Sequence, residues 1–160
     1  MGAFEKNRFN KVDKNLMIQL LTHPLVQRHM PLSSSSFCEK EYNAFIIAKE
    51  KIWEAHGFGP SAYFVDNQFI GWAGIQPDEG DDFEIAIVIH PQYWGYGRQI
   101  YKELIQYAFS ELKLHSVTVL FPPSRTRIRG ILKAGFVEEG ETFIDGERFF
   151  RYRLTNKEMK

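Results

Sequence analysis

The sequence predicts a mixed α/β protein whose sheet is antiparallel at both ends and contains one strand–helix–strand crossover in the middle. FEIAIVI (Phe83–Ile89) is apolar at nearly every position, which is typical of a central strand covered on both faces. In the segment that follows it, apolar residues recur every three or four positions, the spacing of a helix with one buried face. Short apolar runs joined by turn residues lie on both sides of this unit and indicate hairpins. The apolar helix positions are Ile100, Tyr101, Leu104, Ile105, Ala108 and Leu112.

The N-terminal part predicts two helices. Residues 12 to 21 place apolar side chains at helical spacing, and the prolines of HPLVQRHMPL then break the pattern. Ser36 followed by Glu39 fits a capping box, which predicts a second helix running to about Ala55, where GFGP ends it. One side of this helix is expected to carry Tyr42, Phe45, Ile46, Lys49, Ile52 and Trp53.

The rest of the chain predicts the remaining strands and helices. SAYFV and QFIGWAGIQ flank Asp66-Asn67 and predict a hairpin, which the acidic loop DEGDD joins to FEIAIVI. That loop either attracts a cationic amine or is simply solvated, which is the commoner case. HSVTVLF predicts the strand that closes the crossover, and a helix follows that stops at Gly135. FVEEGETFI and ERFFRYRL predict a last hairpin around Asp145-Gly146.

Composition limits the classes of function. The 160 residues include 20 basic and 20 acidic side chains, and this zero net charge argues against a general nucleic-acid binder. Cys38 is the only cysteine, so we expect a reducing compartment. No signal-like run and no apolar stretch of about 20 residues occurs, which predicts a cytoplasmic single domain over residues 1–160 without membrane attachment. The five histidines show no metal-ligand spacing, so no metal is expected.

The stretch QYWGYGRQ lies between the central strand and the amphipathic helix. Its Gly95 and Gly97 either make a tight turn or form a cradle for a phosphate, because a helix N-terminus after a strand presents free backbone amides to an anion. A P-loop would need Gly-Lys-Ser/Thr, and a dinucleotide-binding loop would need a third glycine where Ile100 stands. The glycines alone do not decide between turn and cradle.

Three segments in the same order resemble the GNAT superfamily of N-acetyltransferases. Gln92, Gly95 and Gly97 match its Gln/Arg-x-x-Gly-x-Gly/Ala motif. GILKAGFVEEG and HPLVQRHMPL are similar to segments of its ribosomal-protein (RimJ/RimL-like) branch. The resemblance covers most of the chain and is weakest before Val12.

The resemblance implies acetyl-coenzyme A as acetyl donor and direct transfer to a primary amine. A main-chain N–H of Ile87, Val88 or Ile89 would stabilise the oxyanion, at a point where the central strand separates from its parallel neighbour. The turn that would hold the pyrophosphate through backbone amides comprises Trp94, Gly95, Tyr96, Gly97, Arg98 and Gln99. Gln99 is larger than the small residue usual at its position in the family.

Only a few side chains are candidates for catalysis or for contacts with coenzyme A. Glu84 matches a glutamate of the branch and is either a base, acting directly or through water, or part of an ion pair across the sheet. His90 lies at the strand end and either shuttles a proton or is an ordinary loop histidine. Ser124 and Arg127 stand where many members carry Asn and Ser that contact coenzyme A. Ser124 could instead cap a helix, and protonation of the leaving thiolate stays unassigned.

The run SRTRIRG has two interpretations. On a helix its arginines would spread around a solvated face, or one of them would meet the 3′-phosphate of coenzyme A.

Three functions follow from these patterns. The first is an acetyl-CoA-dependent N-acetyltransferase acting on a protein N-terminus or a small amine. The second is a non-catalytic acyl-CoA sensor, and the third an RNA-associated protein, which the neutral charge disfavours. The sequence leaves open the acceptor and whether the chain is a monomer or a homodimer.

Overall fold

The computed structural model describes residues 4–30 and 38–157, and in it seven strands form one mixed sheet in the order β1-β2-β3-β4-β5-β7-β6. Neighbouring strands are antiparallel except β4 and β5, which are parallel. This confirms the mixed fold and its single crossover. The strands are β1 (Phe4–Asn7), β2 (Ser61–Val65), β3 (Gln68–Pro77), β4 (Phe83–Ile89), β5 (Ser116–Phe121), β6 (Val137–Ile144) and β7 (Glu147–Thr155). The helices are α1 (Lys14–Thr22), α2 (Pro24–Gln27), α3 (Glu39–His56), α4 (Gly97–Ser110) and α5 (Arg129–Ala134), with 3₁₀ helices at Phe9–Lys11 and Pro91–Tyr96.

Both predicted hairpins form, and their turns explain why the sequence specifies them. Asp66 and Asn67 have φ values of 50° and 63°, and Asp145 and Gly146 have 49° and 81°. Two consecutive residues with positive φ give the type I′ turn, whose twist matches that of paired strands, and Asn, Asp and Gly tolerate this conformation best. The registers of β2–β3 and β6–β7 follow from these turns, each with one irregularity.

Three features at the N-terminal side differ from the prediction, and the first is the short helix α2 (Pro24–Gln27), which lies within the stretch predicted to break the helical pattern. β1 was not predicted, and it forms by antiparallel pairing with β2, Phe4 lying opposite Val65. Helix α3 begins after Cys38, whose backbone N–H donates to the Glu41 carboxylate at 3.1 Å, so Glu41 rather than Glu39 closes the cap. The predicted cap residue Ser36 lies outside the described residues.

Helices cover both faces of the sheet. The residues of β4 alternate, so Ile85 and Ile89 pack with Ile100 and Leu104 of α4 on one face. On the other face, Trp72 of β3 packs with the buried side chains of α1 and with Phe45 of α3, whose ring centroid lies 5.6 Å from the Trp72 ring. The side chain of Glu84 points to this second face, because Glu84 alternates with Ile85. No helix of the described residues is long and apolar enough to span a bilayer.

The arginine run and the acidic loop both differ from their expected settings. Arg125 and Arg127 precede α5, which spans Arg129–Ala134, so they lie on a loop rather than around a helix surface. In the acidic loop, Asp78 accepts two hydrogen bonds from the Arg151 guanidinium, at 3.0 and 2.8 Å. Asp82 forms the same kind of bidentate pair with Arg153, two residues further along β7, at 2.9 and 2.8 Å. Asp78 and Asp82, two of the three aspartates of the loop, therefore anchor it to β7, whereas Asp81 is exposed.

Candidate active site

A cleft of about 780 Å³ opens where β4 and β5 separate. The two strands share a single register pair, Glu84 opposite Thr118, and beyond it the rest of β4 runs apart from β5. The edge of β4 therefore faces the cleft instead of a neighbouring strand. The described lining residues are Leu25, Val26, Arg28, His29, Met30, Glu84, Ile85, Ala86, Ile87, Val88, Ile89, Trp94, Gly97, Tyr101, Leu120, Phe121, Ser124, Arg125, Thr126 and Arg127.

Many of the predicted site residues come together in this cleft. Glu84 lies at the closed end, where the strands still pair, and Trp94 and Gly97 lie at the opposite end, beyond the end of β4. The predicted residues in the lining are Glu84, Ile87, Val88, Ile89, Trp94, Gly97, Ser124 and Arg127. Those that do not belong to its described lining are His90, Gln92, Gly95, Tyr96, Arg98 and Gln99.

Gly97 separates the two interpretations of the glycine stretch. Its φ is −57°, an ordinary helical value, so the backbone at this position does not require glycine. A Cβ added to Gly97 would meet no atom within 4 Å, which leaves open space at the first residue of α4. The helix dipole favours an anion at this end of α4, although the N–H of Gly97 itself donates to the carbonyl of Trp94.

The stretch before Gly97 is a 3₁₀ helix that side-chain hydrogen bonds from His90 and Trp94 hold in place. The His90 Nδ1 accepts from the backbone N–H of Gln92 at 3.2 Å and caps this helix. The Trp94 indole N–H donates to the carbonyl of Ile89 at 2.9 Å. The Tyr96 ring packs against Phe4, with centroids 5.4 Å apart, so it faces β1.

Two walls of the cleft are joined through Ser124. Its hydroxyl donates to the carbonyl of Arg28 at 3.0 Å, and its oxygen lies 3.0 Å from the Nδ1 of His29. Because the single hydroxyl proton goes to Arg28, the histidine must donate through Nδ1, which leaves its Nε2 as an acceptor. Burial, followed by Arg125 and Arg28, lowers the pKa of His29, so the ring is neutral near pH 7. Ser124 does not cap α5, whose N-cap residue is Ile128.

Three arginines line the cleft: Arg28, Arg125 and Arg127. The Arg125 guanidinium carbon lies 4.3 Å from the centroid of the Phe121 ring, which holds this cation in place. Tyr101 of α4 also lines the cleft, and burial raises the pKa of its hydroxyl although Arg125 opposes the shift. The cleft thus combines an apolar strand edge with cations suited to bind phosphates.

Glu84 is hydrogen-bonded to a neutral amide. The Gln76 Nε2 donates to the Glu84 carboxylate at 2.7 Å, and the Lys49 Nζ donates to the Gln76 Oε1 at 2.7 Å. Among the described residues, no Lys, Arg or His nitrogen forms an ion pair with Glu84. The ion pair considered from the sequence is therefore replaced by a chain of two hydrogen bonds across β3 to α3.

Both ends of this chain have shifted pKa values. Burial raises the pKa of Glu84 to about 7, and the hydrogen bond from Gln76 only partly offsets it. Burial lowers the pKa of Lys49 to about 8, although Glu84 acts in the opposite direction. A carboxyl group with a pKa near 7 can accept a proton at neutral pH and release it again, as a general base must.

His90 lies apart from Glu84, at the other end of β4. Its ring centroid lies 5.0 Å from that of His23, which caps α2 in the same way through Nδ1. Burial and the neighbouring His23 lower the pKa of His90, which favours the neutral ring that can accept the capping hydrogen bond. Its observed role is to cap the 3₁₀ helix. Among the described side chains, no group of three His, Cys, Asp or Glu residues is arranged to hold a metal ion.

Comparison with known proteins assigns the family. A sequence profile described as the acetyltransferase (GNAT) domain matches residues 7–137. The chain belongs to the GNAT acetyltransferase family. GNAT proteins use acetyl-coenzyme A as acetyl donor, and the cleft described above is where this chain offers an open strand edge and a helix N-terminus. A search of curated proteins finds no match to the sequence.

Solved structures of other acetyltransferases share this GNAT fold. An acetyltransferase from Agrobacterium tumefaciens str. C58 superposes with a TM-score of 0.79 at 15% identity, over 96% of this chain and 91% of that one. Spermidine N-acetyltransferase from Vibrio cholerae, in complex with CoA and spermine, gives 0.72 at 16% identity over 96% and 94%. Ribosomal-protein-S5-alanine acetyltransferase from Vibrio fischeri gives 0.70 at 15% identity over 100% and 97%. At these identities the likeness shows the fold alone.

Sequence reasoning missed several polar residues of the site, among them Lys49, Gln76, His29 and Arg28. Lys49 did carry a signal, since it is a lysine at a position otherwise apolar along one side of α3. Gln76 lies directly opposite Glu84 in the β3–β4 pair, so only the register of these two strands was needed to find it. His29 carried no signal, because it meets Ser124 only when the N-terminal segment packs against the end of β5.

Proposed function

We propose that this chain is an acetyl-CoA-dependent N-acetyltransferase that passes the acetyl group directly to a primary amine in a ternary complex. The observation that carries the proposal is the separation of β4 from β5 beyond the pair Glu84–Thr118. It creates a cleft with a free strand edge, a helix N-terminus at one end and a carboxyl group of pKa about 7 at the other. Direct transfer needs these parts in this order.

The donor would be held along the length of the cleft. Backbone amides in the first turn of α4, beyond the Gly97 N–H that donates to Trp94, would bind the pyrophosphate, and the open space at Gly97 supports that fit. Arg28, Arg125 and Arg127 supply positive charge for the remaining phosphate. The pantetheine arm would follow the edge of β4 towards Glu84.

The chemistry then requires one proton acceptor and one hydrogen-bond donor. Residues 87 to 89 lie about 10 Å or more along β4 from Glu84, so an ammonium substrate beside them gives one proton to Glu84 through water and attacks the thioester carbonyl carbon as a neutral amine. A main-chain N–H of residues 87 to 89 donates to the oxygen that becomes negative. As the C–S bond breaks, the second proton of the amine leaves and the thiolate takes up a proton, so that the products are an amide, free thiol and one released proton.

The acceptor falls into one of two groups, a protein N-terminus or a small-molecule amine. The segment GILKAGFVEEG and the fold of the Vibrio fischeri enzyme named for ribosomal protein S5 support placement near the RimJ/RimL-like branch. The Vibrio cholerae enzyme with the same fold is named for spermidine, a small amine. An amine panel decides between the two groups.

The test is release of free thiol from acetyl-CoA in the presence of peptides, polyamines and small amines. Catalysis predicts thiol release with at least one amine; acetyl-CoA binding without release from any of them would instead indicate a sensor.

The matched pair Gly97→Val and Gly130→Val locates the donor site. Both glycines have open space around an added Cβ, but only Gly97 lines the cleft. We expect Gly97→Val to weaken acetyl-CoA binding by about tenfold or more without lowering Tm, because the new side chain occupies the place of the phosphate. Gly130→Val should leave binding unchanged, and equal binding by both variants would contradict the placement.

A further inference from the structure

A second cavity, of about 470 Å³, adjoins the first at Glu84. Glu84 and Leu120 line both cavities, so the side chain proposed as base faces the two spaces at once. A direct transfer brings donor and acceptor together at one point, and this shared wall is the only such point among the described lining residues. The second cavity is therefore suitably placed for the acceptor.

The walls of the second cavity are mainly apolar. Pro77, Leu120, Ile144 and Phe149 contribute, together with the ring of Phe143 from the last hairpin. Phe143 is 63% exposed, although a phenylalanine gains free energy by leaving water. An apolar body bound in this cavity would cover the Phe143 ring.

The charges around the cavity are largely balanced, with one carboxylate left over. Asp78 is neutralised by its bidentate pair with Arg151 and also accepts from the Thr118 hydroxyl at 2.6 Å. Glu84 is opposed by Lys49 behind Gln76. Glu79 remains, a 60% exposed carboxylate that accepts from Thr142 at 2.7 Å and lies 3.6 Å from the same Arg151. The single charge of Glu79 can compensate one ammonium group of a substrate, but not the several ammonium groups of a polyamine.

We infer that the second cavity is the acceptor site and that it takes a primary monoamine carried on an apolar, aromatic-sized group. This rests on the proposed N-acetyltransferase function and adds the substrate class to it. The ammonium group passes the Glu79 rim and reaches Glu84, while the apolar body lies against Phe143 and Phe149. Polyamines carry more than one ammonium group, and small polar amines lack the apolar body.

The test compares phenethylamine, spermidine and ethanolamine as acceptors in the thiol-release assay. We expect kcat/KM for phenethylamine to exceed the other two by at least about tenfold, since burying a ring of this size is worth that factor or more.

Phe143→Ala should remove most of this preference, and Phe143→Leu should restore part of it. In both variants the Kd of acetyl-CoA should stay unchanged, because Phe143 does not line the first cavity. The control is Val137→Ala, because Val137 lies on the same strand, is 66% exposed and does not line the cavity.

The outcomes separate this inference from the function on which it rests. Turnover that favours spermidine or ethanolamine, or a preference that Phe143→Ala leaves intact, overturns the inference while the acetyltransferase stands. Acetyl-CoA binding without turnover of any amine overturns both. If Phe143→Ala alters the oligomeric state in light scattering but not the preference, a second copy of the chain covers Phe143, and the inference is again overturned.

Discussion

Glu84→Gln tests the proposed base through two independent quantities, turnover and stability. The substitution keeps the size of the side chain, and its new amide oxygen can still accept from Gln76, so the packing around β3 and β4 is retained. What it removes is the ionisable group. A base of the ordinary kind contributes about 10²- to 10⁴-fold to the rate. We therefore expect kcat at pH 8 to fall at least about a hundredfold, while the Kd of acetyl-CoA changes less than about twofold.

The wild-type pH profile follows from the pKa of Glu84. With a pKa of about 7, half of the carboxyl groups are ionised at neutral pH and about a tenth at pH 6. The kcat at saturating substrate should thus rise about tenfold per pH unit up to pH 7 and level off above it. Glu84→Gln should lose this limb.

The stability change has the opposite sign to the change in activity. The pKa of Glu84 is raised from 4.5 to about 7, so its effect on stability is fully favourable only below pH 4.5 and is lost as pH rises through 7. At about 1.4 kcal/mol per unit, ionising this carboxyl in the fold costs up to about 3 kcal/mol at pH 8. Glu84→Gln should therefore be more stable than wild type by that amount at pH 8, and by about 1 kcal/mol or less near pH 5.

Chemical denaturation at both pH values and the thiol-release assay measure these quantities. Glu54→Gln serves as the control, since Glu54 is an exposed carboxylate on α3 and its replacement should change neither quantity. Unchanged turnover would refute the role of Glu84 as base. A stability difference that does not grow with pH would refute the burial that raises its pKa.

Two further predictions concern groups near Glu84. Lys49→Met removes the positive charge behind Gln76, so the acid limb of the kcat profile should move up by as much as about one pH unit. Lys49→Arg should keep the limb in place, and an unmoved limb in both variants would show that Lys49 does not influence Glu84. Asp78→Asn leaves Arg151 without its bidentate partner and should lower the free energy of unfolding by about 3–5 kcal/mol at pH 7 in urea. Because the Arg151 and Thr118 hydrogen bonds hold the pKa of Asp78 below its usual range despite burial, this deficit should shrink as pH falls below about 4; a deficit independent of pH would contradict the pairing.

The parts of the fold that the sequence predicts are those whose signals are local. The all-apolar strand β4, the amphipathic helix α4 and the two turns at Asp66-Asn67 and Asp145-Gly146 carry their conformation in their own residues. β1 has no such pattern, since three of its four residues are exposed, and it exists because β2 offers it a free edge. Edge strands of this kind depend on a partner more than on propensity.

The residues of the site also divide into those with a local sequence signal and those that depend on distant partners. Glu84 and Gly97 could be predicted because each belongs to a local motif that resembles a known family. The partners of the acidic loop could not, because Asp78 and Arg151 are 73 positions apart and meet only when β7 pairs with β5. An acidic run read by itself predicts solvation, and only the register of a distant strand reverses that expectation.

The two carboxylates on this side of the sheet show what the amide of Gln76 does for Glu84. Asp78 meets Arg151 directly, and the hydrogen bonds from Arg151 and then Thr118 hold the pKa of Asp78 low despite burial. Glu84 also has a cation nearby, but Gln76 stands between the carboxylate and Lys49, so the pKa of Glu84 stays near 7 instead of falling. A direct contact would turn Glu84 into a second structural ion pair that could not take a proton at neutral pH. The neutral spacer therefore fixes the carboxylate in place and leaves it able to act as a base.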